Sequence, residues 1–113
     1  SGAIAAGAAA IRDQAFTEKA VAYNTLWIEK MTAALEAIGL KVTPSVANFI
    51  LVHFPDGEGK RAAEADDFLT SRGYIVRAVR AYGFPNSLRM SIGTEEANLG
   101  LIDTLTEFMG RKA

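Results

Sequence analysis

Hydrophobic positions along this chain change period several times, and each change predicts an element. From about Ala3 to Ile38 the period is helical. Val21, Ile28, Met31, Leu35 and Ile38 recur at spacings of seven, three, four and three and share one stripe, with Trp27 near its edge. Gly39 is a good terminator, while Gly7 predicts a bend or break near the start. "LKVTP" reads as a short strand that stops at Pro44. "NFILVHF", Asn48 to Phe54, is apolar on both faces, which predicts a central strand covered on both sides.

"PDGEG" is a turn. Helix is expected again from about Glu58 to Arg72, with Ala62, Ala65, Phe68 and Leu69 inward and Gly73 closing it. "YIVRAV" predicts another strand and "AYGFPNS" a loop. Leu88, Met90 and Ile92 then alternate with Arg89, Ser91 and Gly93, the pattern of a half-buried strand. Thr94 is placed to cap a last helix, about Glu95 to Met109, with Leu99, Ile102, Leu105 and Met109 at helical spacing. Glu95 and Glu96 suit the positive end of that helix. The predicted class is α+β: a long N-terminal helix and a small, largely antiparallel sheet packed with helices.

Composition narrows what such a domain does. With 113 residues there is room for one core and one domain, and half the residues are hydrophobic. Twelve basic and thirteen acidic residues leave a net charge of -1 without a basic block, so no nucleic-acid partner is expected. The absence of cysteine removes disulfides, thiolate nucleophiles and thiolate metal sites, and fits a cytoplasmic protein. The opening "SGAIAAGAAAIRD" reads as helix, not as a leader or membrane span, because Arg12 and Asp13 interrupt it early. A helix start that is apolar nearly all round is expected to be covered by something else.

Residues able to carry chemistry are few. His53 is the single histidine, and a lone His in a strand is more often packed than a ligand. No His, Asp or Glu group has metal-ligand spacing. "GEGKRA" lacks the phosphate-loop spacing, and no serine sits in a nucleophile elbow. Asp66 and Asp67 are adjacent on a helix, so they diverge. No self-sufficient catalytic set emerges. Two arginines remain. Arg77 shares a strand face with Ile75, and Arg89 lies opposite Leu88, Met90 and Ile92. If their strands are neighbours, two guanidinium forks meet and suit a carboxylate or phosphomonoester; otherwise both belong to solvated faces.

"PSVANFILVHF" and "LTSRGYIVRAVRAYGFPNSLRMSIGTEEANLGLIDTL" resemble the C-terminal part of histidinol-phosphate aminotransferases, which have the fold-type I architecture of pyridoxal-phosphate enzymes. The matching segments are Ser45 to Phe49, Gly73 to Arg77, Tyr82 to Pro85 and Leu88 to Thr94, in order and at similar spacing across essentially the whole chain. The resemblance implies that Arg89 holds the anionic end of the substrate: the phosphate of histidinol phosphate, or a carboxylate of glutamate or 2-oxoglutarate. Arg77 would lie beside it and help with the phosphate. Asn48 would lie on the strand that approaches the site, with a weaker claim to a role.

The resemblance also implies that residues 1–113 are a small domain whose partner is the missing large domain of the same enzyme. That domain would carry the Schiff-base lysine and the pyridoxal phosphate, and the complete enzyme would be a homodimer. None of Lys19, Lys30, Lys41, Lys60 and Lys112 stands in the family's lysine motif, so no cofactor and no turnover are expected of this chain alone. Aromatic amino-acid transamination and threonine-phosphate decarboxylation use the same small domain. Two other readings stay open: a stand-alone regulatory module binding an amino acid or phosphorylated metabolite, and a dimerisation domain packing through helix 3–38.

Overall fold

A computed structural model describes residues 2–45, 47–79 and 83–111, with side-chain environments from residue 18 onward. The element order is α1 (Gly2–Ala37), β1 (Lys41–Pro44), β2 (Phe49–His53), α2 (Ala62–Ser71), β3 (Arg77–Val79), β4 (Phe84–Ser91) and α3 (Glu95–Gly110). The four strands form one antiparallel sheet in the order β1-β2-β4-β3. The α+β expectation holds, and α1 is the first element.

The helices lie on one face of the sheet. Alternation along β2 and β4 sends Ile50, Val52, Leu88 and Met90 to that face. They pack with Trp27, Ile28, Met31 and Leu35 of α1, with Ala65 and Leu69 of α2, and with Leu101, Leu105 and Phe108 of α3. β2 is therefore central but covered on one side only, contrary to its pattern. Phe49, Leu51 and His53 stay half-exposed on the side without helices.

Several boundaries shift for identifiable reasons. α1 passes Gly7 without a break, because one glycine costs only about 1 kcal/mol in a long helix. Its stripe reaches the core from Trp27 onward, while Val21 is 56% exposed because the helix has by then left the sheet behind. Gly39 takes φ 94, the left-handed turn that ends α1. α2 starts at Ala62 rather than near Glu58, since residues 57–60 close a turn through Lys60 N–H to the Gly57 carbonyl. Its N-cap, Arg61, has no side-chain cap bond, and Asn86 supplies one from β4: its Oδ1 accepts the Ala62 N–H at 2.8 Å. Phe68 is only half-buried.

Within "YIVRAV" only Arg77–Val79 is strand, and "FPNS", read as loop, instead opens β4. Asn86 explains the extension, because its Nδ2 donates to the Phe54 and Pro55 carbonyls at 2.7 and 2.9 Å and fixes this end of the strand. Ala81 and Tyr82 of that expected loop, and Arg80 before it, lie outside the described residues. Thr94 caps α3 as expected, its hydroxyl accepting from Ala97 N–H at 3.1 Å. Leu99 is not on the inner face, being 48% exposed; the buried stripe is Asn98, Leu101, Leu105 and Phe108. No described helix is long and apolar enough to cross a membrane.

Candidate functional site

The open face of the sheet is built row by row. Register places Leu51 opposite Arg89, and Arg89 opposite Arg77, so Thr43, Leu51, Arg89 and Arg77 form one line across all four strands. Directly opposed side chains start roughly 5 Å apart, and like charges there repel. The two guanidinium forks are thus neighbours in the registration that the sequence left conditional. None of the four strands contains an Asp or Glu. Among the described residues the single ion pair is Arg72 with Glu107, on the helical side.

Arg89 is steered by an aromatic ring. Its guanidinium carbon lies 4.1 Å from the centroid of Phe49, one row away on β2. A cation on a ring face gains about 0.5–1 kcal/mol at an exposed site, enough to favour one pose while leaving the N–H edges free. Phe49, Leu51, Val79, Phe84 and Arg89 bound a shallow hollow of about 310 Å³ beside it. An apolar floor with a charged fork at its rim suits an organic body ending in an anion.

Asn48 joins this region through its main chain only. Its carbonyl accepts the Ile92 N–H at 2.7 Å, extending the β2–β4 pairing, while its side chain is exposed. The Ser45 hydroxyl shapes the approach to β2 by donating to the Phe49 carbonyl at 2.5 Å and accepting from Ala47 N–H. The structure therefore brings Arg77 and Arg89 together and leaves Asn48 at the sheet's end.

His53 is a packed residue, as its isolation suggested. Its Nδ1 lies 2.6 Å from the Ser87 hydroxyl and its Nε2 2.7 Å from that of Thr43, so one imidazole bridges three strands. Both ring nitrogens are engaged, and no metal-ligating cluster exists among the described residues. Sequence reasoning missed Phe49 and Phe84 as walls of the hollow. The apolar character of both faces of "NFILVHF" is the available signal for Phe49, and it fits a doubly buried strand equally well; nothing local marks Phe84.

A model of the family "Aminotransferase class I and II" matches residues 1–105. The chain belongs to that family. It is 50% identical over 107 residues to the histidinol-phosphate aminotransferase of Maricaulis maris, and 52% identical over 110 residues to that of Nitrobacter hamburgensis. Those matches cover 95% and 97% of this chain but 30% of each relative's length. A crystal structure from Burkholderia pseudomallei, under a provisional aminotransferase assignment, superposes with a TM-score of 0.76 at 32% identity. It covers 89% of this chain and 30% of that one. The α+β layer with its leading helix is thus an aminotransferase domain fold.

Among the described residues, the lysines are either engaged with other groups or exposed to solvent. The Lys60 ammonium donates to the carbonyls of Phe108 and Arg111 at the end of α3, at 2.6 Å for Phe108. Lys30 lies over Trp27 at 5.0 Å, and Lys19 and Lys41 are exposed. The described residues do not fit the cofactor.

Proposed function

We propose that this chain is the substrate-binding small domain of an aminotransferase that moves the amino group of histidinol phosphate to 2-oxoglutarate in histidine biosynthesis. The observation that carries this reading is the opposed Arg77–Arg89 pair on an open sheet face that has no strand carboxylate. Two forks repelling each other across one row are stabilised by a doubly charged anion between them. Names and identities of the relatives support histidinol phosphate as that anion. The rest of the enzyme supplies the lysine and the pyridoxal phosphate, and the complete protein is a cytoplasmic homodimer. Asn48 sits at the margin of the substrate.

The test uses the full-length enzyme that contains this chain. Arg89→Ala is expected to lower kcat/KM for histidinol phosphate by about 10²–10³-fold, the equivalent of losing a bidentate charge-assisted contact. Arg77→Ala is expected to penalise histidinol phosphate more than 2-oxoglutarate. Unchanged kinetics in Arg89→Ala would end the proposal. The 113-residue chain mixed with pyridoxal phosphate is expected to give no stoichiometric imine absorbance. Tight, Arg89-dependent binding of histidinol phosphate to that isolated chain in calorimetry would favour the regulatory module instead.

A further inference from the structure

α1 is much longer than the core beneath it. Thirty-six residues rise roughly 54 Å, which gives the molecule a long dimension of 65 Å against 28 and 23 Å for the others. Among the described side chains of α1, burial begins at Trp27, 4% exposed, and between Glu18 and Leu26 the side chains are exposed apart from a half-buried Asn24. Within that stretch Tyr23 makes one specific bond. Its hydroxyl donates to the Gly93 carbonyl at 2.7 Å, and its ring lies 6.4 Å from Trp27.

The acceptor belongs to a stiff corner. Gly93 O also accepts from Asn98 Nδ2 at 3.1 Å, and Gly93 N–H donates to Asn98 Oδ1 at 2.8 Å, with Asn98 only 1% exposed. One residue earlier, Ile92 N–H is held by the Asn48 carbonyl. Arg89 is four residues upstream on β4, a strand paired on both sides. The Tyr23 hydroxyl therefore joins the projecting helix to the same rigid body that carries Arg89.

We infer that Tyr23 is a positioning residue, whose bond to Gly93 sets the angle between the α1 arm and the strand bearing Arg89. The arm from Gly2 to Tyr23 is roughly 32 Å long, so a tilt of about 5° at the tether displaces its far end by roughly 3 Å. Misplacement of about 1 Å between reacting groups can cost about a hundredfold in rate. The inference rests on the aminotransferase reading, in which the groups acting on the substrate lie in the part of the enzyme beyond the arm.

A double-mutant cycle in the full-length enzyme tests it, with kcat/KM for histidinol phosphate as readout. Tyr23→Phe is expected to lower kcat/KM about three- to tenfold with Arg89 present, the scale of one neutral hydrogen bond, and less than about twofold in the Arg89→Ala background. Tyr23→Leu, which removes hydroxyl and ring together, is expected to repeat that coupling. A purely structural role would reduce the folded fraction equally in both backgrounds, so equal losses, or none from Tyr23→Phe, overturn the tether alone. If Arg89→Ala leaves kcat/KM unchanged, the substrate reading fails and takes the tether with it.

Discussion

On β4, Leu88 and Met90 are 1% and 0% exposed, while Arg89 between them stands in solvent. The same strand serves two environments because successive side chains point to opposite faces. The helical face is closed by apolar packing and needs nothing further. The other face holds two guanidinium groups with no ion pair among the described residues, beside partly covered aromatic and aliphatic side chains. Arg72 makes the contrast sharper. Like Arg89, it stacks on a phenylalanine, 4.7 Å from the Phe68 centroid, but it also forms a bidentate bridge to Glu107 with both contacts at 2.8 Å. One arginine is satisfied within the domain. The other is held by its ring and, among the described residues, its donors have no protein partner, which suits an anion.

The sharpest way to break this contrast is to attack the closed face. Leu88→Ala is expected to destabilise the chain by about 2–5 kcal/mol through lost burial and a residual cavity, read as a lower urea midpoint at constant slope. Next is Gly100→Ala. An added Cβ would lie 1.9 Å from the Tyr74 hydroxyl oxygen and 3.1 Å from its ring carbon, so either the side chain or α3 must move. A cost of about 1–3 kcal/mol is expected. Adding Tyr74→Phe should recover part of that cost, because the worst clash is with the hydroxyl. Since Tyr74 leads into β3, this pair also asks whether core-side packing sets the place of Arg77.

Arg89→Ala should do the reverse. It is expected to change stability by no more than about 0.5 kcal/mol while weakening substrate binding, because its guanidinium makes no ion pair among the described residues and faces a like charge. Comparable losses of both would mean the open face is structural. The smallest effect belongs to Glu107. A hydrogen bond from Arg72 lowers its pKa below the usual carboxylate value; desolvation opposes this in part, and the charges of Arg72 and Arg111 lower it further. The stability it contributes is thus present above the ordinary carboxylate range and is lost as pH falls through the lowered value. Both groups are exposed, so Glu107→Gln should shift the thermal midpoint only slightly, and less still at high salt.

Much of the fold was legible from pattern. The class, the long first helix, Thr94 as cap and the alternation of Leu88, Met90 and Ile92 all follow from local periodicity and capping chemistry. Three features were not, each because a distant residue decides it. α2 begins where Asn86 reaches across to cap it, β4 begins where the same side chain anchors it, and α3 buries Asn98 rather than Leu99 because Gly93 needs that amide. For the site, pattern put Arg77 and Arg89 on strand faces but left their meeting conditional on strand order.

What the sequence determined alone is therefore the two-sided character of β4 and the presence of two permanently charged forks. A period of two and a guanidinium's charge need no tertiary context. Strand order decided the rest. With β4 placed between β2 and β3, Arg89 gained Phe49 on one side and Arg77 on the other. All three helices were committed to the opposite face, so the apolar outer side of β2 became an open floor instead of core. Pairing between segments far apart in the chain has no local signature, and that pairing is what turns two scattered arginines into a candidate site.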